Sequence, residues 1–397
     1  MNEWRIPFFL IARHLWRGSK WTLGLIIFLM AIAFINLVFV SSLFNGIIDT
    51  SNKKTIETYT GNISVYPSKG DDFIADTKGT LNKIRATNEV VAATAHYVIP
   101  AAMEWEKIKT GPYLAAINPD DEKKVTTVWS SMQEGRYLSK NDRDGIILGA
   151  QVAGADESGL YTFKGVKTGD KVKVSVGQTS KEFVVRGIFY TNSMQTDYQT
   201  FITERGLQSI APYLKDKGGA ILIRIDKTGN ETTVIDQLRA RGVKGKILQW
   251  KDLAGLMKSV TKSFTSIDVL LSLVGTLIAA ITIFIVIYID VNNKRQQIGI
   301  LRALGVRPYL IHAVYVLQSA IYSFFGVVLG VGLFLAILVP YFQAHPFALP
   351  IGDASLLIDY PTFILRAEVI MWVAVFSGLI PAIMVTRMNM LDEISGK

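Results

Sequence analysis

Asn292-Asn293-Lys294-Arg295-Gln296-Gln297-Ile298-Gly299-Ile300-Leu301-Arg302-Ala303-Leu304-Gly305 decides the reading of this chain, because it is a short basic helix pattern set between two long apolar runs. Upstream, Val269 to Ile289 is uncharged and closed by Asp268 and Asp290; downstream, a second run begins near Tyr309. A membrane span needs about 20 apolar residues, so both runs qualify and the basic stretch must lie at one membrane surface. A helix pinned there can dock on something.

Two further windows are apolar enough to span, Trp21 to Phe44 and Val369 to Thr386. Half of the 397 residues are apolar, yet the chain carries a long polar middle, the pattern of a membrane protein with a domain outside the bilayer. The division read from the sequence is a basic N-terminal segment 1–20, spans 21–44, 268–290, 309–339 and 369–386, a large domain 45–267, the surface segment 291–308, an external loop 340–368 and a tail 387–397. Arg13, Arg17 and Lys20 lead into the first window as they would into a secretory signal. Its apolar run exceeds the roughly 7–15 residues of a signal core, so a retained helix is expected.

Lys and Arg in short connections set orientation. Arg5, Arg13, Arg17 and Lys20 precede the first span, and Lys294, Arg295, Arg302 and Arg307 separate the second from the third, against Glu3 and Asp290 alone. Both termini are therefore expected to be cytoplasmic and the large domain external. Asn45 to Asp268 holds 31 basic and 26 acidic residues, so it supplies +5 of the net +9. Such interspersed charge is a solvated surface rather than the clustered basic face that nucleic acid requires. With no cysteine in the chain, the domain has no disulfides and must be held by its own core.

Within that domain, Asn62 to Tyr66 alternates before Pro67, and Gly145-Ile146-Ile147-Leu148-Gly149 is a short apolar run between glycines. Both read as strands. Lys171 to Val176 alternates polar and apolar, turns at Gly177-Gln178-Thr179-Ser180 and returns as Glu182 to Phe189, a hairpin by spacing and turn chemistry. Ala220 to Ile225 reads as a later strand, and Thr233 to Arg241 and Asp252 to Ser266 as helices, the last running into the second span.

Catalytic and metal chemistry find no support. There is no G-x-x-x-x-G-K-[ST] phosphate loop and no G-x-S-x-G elbow. His14, His96, His312 and His345 are scattered, none at i+3 or i+4 from another ligand. Small residues recur in the spans: Gly275 and Ala279 in the second, and Ser319, Ser323, Gly326 and Gly330 in the third. Such spacing lets helix backbones approach closely, within one subunit or across a dimer. Inside their end residues the spans contain no Asp, Glu, Lys or Arg, Asp268 and Asp290 standing only at the two ends of the second, and a polar central pore is not expected.

One span, a large external domain and three clustered spans resemble the layout of the FtsX/MacB/LolC-type ABC transporter permeases. Gln297-Ile298-Gly299-Ile300-Leu301-Arg302-Ala303-Leu304-Gly305 is similar to that family's E-I-G-[IV]-L-[RK]-A-[LI]-G stretch, with Gln297 at a position where an acid is common. Gly145 to Val152 and the strand through Gly187-Ile188-Phe189 resemble the MacB-like external domain, and Pro381 to Ile394 is a weaker match to the C-terminal end. Phe9 to Gly18, before a long first span, resembles the LolC/LolE branch. The resemblance implies a four-helix membrane protein with an extracytoplasmic α+β domain in the inner membrane. It implies a non-catalytic permease that couples ATP hydrolysis by a separate ABC ATPase to movement of the external domain, extracting or exporting a hydrophobic cargo such as a lipoprotein, peptide or drug. ATP and magnesium would sit in that ATPase, leaving this chain without a cofactor. Its other implied partners are a second permease subunit, identical or not, membrane lipids, and as an optional addition a periplasmic carrier or adaptor. The ATPase would be met by Lys294, Arg295, Ile298, Leu301, Arg302 and Leu304, with Ile298, Leu301 and Leu304 forming one stripe. A different class, an FtsX-like scaffold controlling a partner such as a cell-wall hydrolase, is the alternative.

Overall fold

A computed structural model of the chain describes residues 20–154, 163–253, 255–349 and 352–386. The chain divides into two compact units, a helical one built from residues up to Gly46, Thr261–Phe347 and Ala354 onward, and a sheet domain built from Ile47–Val260 with Ala348–Asp353. The expectations for Arg5, Arg13, Arg17, Phe9 to Gly18 and the tail from residue 387 fall outside the described residues.

The described residues of the sheet domain form twelve strands: β1 (Ile63–Tyr66), β2 (Val90–Ile99), β3 (Ala102–Trp105), β4 (Ile108–Thr110), β5 (Tyr113–Ile117), β6 (Met132–Gly135), β7 (Gly145–Gly149), β8 (Lys171–Val176), β9 (Thr179–Phe189), β10 (Gln199–Thr203), β11 (Ala220–Ile225) and β12 (Lys246–Gln249). They join in the order β12-β1-β11-β2-β5-β10-β7-β9-β8-β3-β4, with β6 beside β9. Pairing is antiparallel except for β5 with β10 and β7 with β9. The expected hairpin is present, its two-residue turn placing Val176 opposite Thr179 and using Gly177 at a φ of 58°. Central strands β5, β10 and β7 are buried almost throughout because both faces are covered. Leu114, Ala116, Ile146 and Leu148 enter the larger core, whereas Ala115, Ile117 and Ile147 enter a second one with Phe189 and Phe201.

Among the described residues, four helices are long and apolar enough to cross a membrane. The first, α1 (Lys20–Lys54), runs on through a π turn, Thr55–Thr60. At 1.5 Å per residue its 35 residues reach about 52 Å, well beyond the roughly 30 Å of a hydrocarbon core. The chain end of this rod is bound into the sheet domain: the Glu57 carbonyl accepts from the Thr127 amide at 2.8 Å, and the Thr58 and Thr196 hydroxyls pair at 2.8 Å. The domain's helices α2 (Thr77–Arg85), α3 (Pro119–Val125), α4 (Glu204–Ile210) and α5 (Glu231–Ala240) precede the second long helix, α6 (Gly255–Asn293). There follow the short α7 (Arg295–Ala303), then α8 (Pro308–Leu333) and α9 (Tyr360–Thr386).

Two boundaries differ from expectation. Helix continues past Pro340 to Ala344, because a π turn at Phe334–Leu338 puts the proline in a first helical turn, where its missing N–H costs little. The fourth long helix starts at Tyr360 rather than at 369, with the Asp359 carboxylate accepting from the Thr362 amide at 3.3 Å. Arg366 and Glu368 therefore lie inside it, and the expectation of long helices free of internal charge is corrected. The helix admits Arg366 because the charge is paired with Asp268 of α6 at 2.6 Å.

Small residues in α6 and α8 pack within this one chain. A Cβ on Gly326 would strike the Met30 side chain of α1, and one on Gly330 would come within 2.8 Å of the Phe34 ring. Ala279 is fully buried. Gly275 is looser, with its nearest neighbours Asn36 and Leu37 at ordinary contact distance. Gly378 of α9 lies against Ser319.

A buried histidine–carboxylate hydrogen bond ties α3 to the sheet. His96 Nε2 of β2 sits 2.8 Å from Glu122 Oε2, and Thr126 Oγ1 donates to Glu122 Oε1 at 2.9 Å. Burial alone would push the Glu122 carboxyl up, but His96 and Thr126 outweigh it and hold the carboxyl below its usual range. A lowered folded value means that this stabilisation is complete above the unfolded pKa of about 4.3 and is lost as pH falls through the folded value. Glu122→Ala, which leaves His96 and Thr126 without a hydrogen-bond partner, is expected to cost roughly 1–3 kcal/mol at neutral pH. Hydrogen exchange of α3 amides in the full chain checks this: protection falls sharply in the variant, and the deficit shrinks in acid.

Candidate functional site: the basic helix between the second and third long helices

Residues 294–307 form a closed turn-helix-turn. α6 ends at Asn293, and Lys294 leaves the helical conformation with φ −105° and ψ 9°. The entry is held from both sides. Lys294 Nζ lies 2.8 Å from Asp290 Oδ1, one turn back on α6, and Gln318 Nε2 of α8 donates to Asp290 Oδ2 at 3.1 Å and to the Tyr322 hydroxyl at 2.9 Å.

The exit is fixed by backbone geometry. Gly305 takes a φ of 89°, its N–H donates to the Arg302 carbonyl at 3.0 Å, and the Val306 N–H reaches back to the Leu301 carbonyl at 3.1 Å. These two bonds are a Schellman motif, which wants glycine at the left-handed position. Pro308 then opens α8 at a position where a missing N–H is harmless. The pattern A-L-G-V-R-P thus encodes a stop and a restart, and α7 is held at both ends.

The faces of α7 differ from the expected stripe. Ile298 is buried in the helical unit's core, Leu301 is half-buried and Leu304 is 77% exposed. Each three-residue step falls about 60° short of a full turn, so Ile298, Leu301 and Leu304 wind from the inside of the helix to its outside. Ile298 is an anchor. The outward apolar pair is Ile300, 48% exposed, with Leu304 one turn on, flanked by exposed Gln296, Gln297 and Ala303. Ile300 was not among the residues expected; its i, i+4 relation to Leu304 was the available signal. Lys294, Arg295 and Arg302 are half-buried around the same helix, giving an apolar patch with a basic margin. Among the described residues, no group of three or more His, Cys, Asp or Glu side chains is placed to hold a metal.

Comparison with known proteins fits this layout. Residues 269–390 match the model of the FtsX-like permease C-terminal region, and residues 23–241 match that of the MacB-like periplasmic core domain. Over 275 residues the chain is 24% identical to an uncharacterised ABC transporter permease of Methanocaldococcus jannaschii, covering 67% of this chain and 66% of that one. It is also 24% identical over 260 residues to the lipoprotein-releasing system transmembrane protein LolC of Xylella fastidiosa, covering 62% and 60%. The match thus spans a little under two thirds of each relative. The periplasmic region of MacB from Actinobacillus actinomycetemcomitans aligns over 49% of this chain and 92% of its own, at 12% identity and a TM-score of 0.37.

Proposed function

This chain belongs to the FtsX- and MacB-like ABC transporter permeases, and from that membership we propose that it is the non-catalytic membrane subunit of a transporter driven by a separate ABC ATPase. α7 receives the ATPase. The observation that carries this reading is the outward pair Ile300 and Leu304 on a short helix fixed at both ends: an apolar i, i+4 pair suits a groove on a partner, and a helix that cannot swivel passes a push on to α6 and α8. α1 and α6 are long continuous helices of 35 and 39 residues, and α7 follows α6 directly, so a displacement of α7 is passed to α6. Both termini and α7 are cytoplasmic, the sheet domain is extracytoplasmic, and the permease works as a pair with a second subunit. ATP and magnesium are bound by the ATPase. The cargo is hydrophobic, in keeping with the lipoprotein release named for the LolC relative.

Two measurements test this. The purified chain alone is expected to hydrolyse no ATP, since it has no phosphate loop, and turnover should appear with a partner ABC ATPase. Hydrolysis by the isolated chain would end the assignment. Because the chain contains no cysteine, a single cysteine at Leu304 or Gln178 can be labelled cleanly in intact cells with a membrane-impermeant maleimide. Gln178 is expected to react and Leu304 to react only after permeabilisation, and the reverse pattern would invert the topology.

A further inference from the structure

Arg366 lies within α9 and is 9% exposed. Its guanidinium makes two bonds to two other helices: one to Asp268 Oδ2 of α6 at 2.6 Å, the other to the Leu37 carbonyl of α1. A charged side chain among apolar helices is tolerated only when paired or led to water, and this one is paired. Asp359, just before α9, Thr362 of α9 and Ser41, Ser42 and Asn45 of α1 surround the same corner, and the space they enclose with Arg366 is about 10 Å3. That is room for one water at most, so the corner is no ligand pocket.

The geometry points to Arg366 as a positioning residue that ties α1, α6 and α9 into one strut at this level. A main-chain carbonyl inside a helix cannot swing toward a departing side chain, and Asp268 is fixed by its own helix. Sliding α6 relative to α1 or α9 would break one or both of these bonds and leave a buried guanidinium without the partners it now has, which is unfavourable. Helix α6 therefore carries α1 and α9 with it when it moves. This inference rests on the transporter reading for its consequence, since in that reading α6 receives the push from α7; the tie is a property of the chain alone.

The test uses the full chain in phospholipid nanodiscs, with spin labels on cysteines at Ile267 of α6 and Ile364 of α9, both exposed positions in a chain without native cysteine. The expected result is a narrow distance distribution in the parent chain, a second, longer population in both Arg366→Gln and Asp268→Asn, and recovery of the narrow α6–α9 distribution in the charge swap Arg366→Asp with Asp268→Arg, which restores that ion pair but not the bond to the Leu37 carbonyl. Asp268→Asn keeps side-chain shape, so it remains informative if Arg366→Gln fails to fold. With the partner ABC ATPase added, Arg366→Gln should retain ATPase binding and turnover while transport per ATP falls about tenfold, within the usual range for coupling between sites. Unchanged distances in Arg366→Gln and Asp268→Asn overturn the tie whatever the ATPase does. Broadened distances restored by the swap, in a chain that binds no ATPase, would uphold the tie and overturn the transporter reading.

Discussion

Gly326→Leu is expected to destroy the packing of α8 on α1. The Cβ alone would strike Met30, and the rest of the side chain would have to enter a region where Met30, Ala31 and Phe34 are fully buried. Overpacking by a few methylenes costs about 1–3 kcal/mol where neighbours can shift, but here Ile27 and Ala31 present main-chain oxygens close behind the two glycines. A loss of about 3 kcal/mol or more is therefore expected. Gly275→Ala, by contrast, meets its nearest atom at 3.7 Å and should be neutral within about 0.5 kcal/mol. Unfolding by SDS in mixed micelles, followed by circular dichroism, separates the two. A Gly326→Leu curve that overlays the parent would mean that α1 and α8 do not meet at this seam.

The double variant Ile300→Asp with Leu304→Asp is expected to lose the partner ATPase almost completely. Burial of one such side chain contributes about 1.5–3 kcal/mol; two together approach roughly 3–6 kcal/mol, or about a hundredfold to ten-thousandfold in affinity. Ile298→Asp should behave differently, because Ile298 is packed inside the helical unit: it should damage the unit itself before any partner is added. Leu301→Asp should fall between them, and Leu301→Met should be tolerated. Affinity for the ATPase in nanodiscs, measured beside thermal stability, distinguishes a docking defect from a folding defect. If the double variant binds as tightly as the parent, α7 is a helix that rests on lipid and the push enters elsewhere.

The existence of α7 was legible because its ends are written in the sequence: charges after Asp290, Gly305 where a left-handed residue is required, and Pro308 at the restart. Its orientation was not, since a three-residue repeat drifts around a helix and only packing shows which member faces inward. Strand β7 and the β8–β9 hairpin announced themselves by glycine punctuation and alternation. Strand β2 did not. Its Ala92-Ala93-Thr94-Ala95 stretch has weak strand preference, and it becomes a strand because β11 and β5 flank it, leaving most of its residues buried. The start of α9 was hidden for a related reason. Arg366 reads as a residue that belongs in water until Asp268, 98 positions away in sequence, is brought beside it. In each failure the deciding partner was remote along the chain, so no local pattern could supply it.

The sheet is open, and its two outermost strands are its shortest kind. β4 has three residues with Lys109 at its centre, and β12 has four, beginning with Lys246. An exposed strand edge is a template for pairing with any neighbouring chain, and brevity together with a lysine ammonium is a common deterrent. Copies of a membrane protein are confined to a plane and meet edge-on far more often than molecules free in solution. A domain carried by every copy therefore has to resist knitting into its neighbours, and lengthening β4 or replacing Lys109 with valine would convert a self-contained domain into a seed for aggregation at the membrane surface.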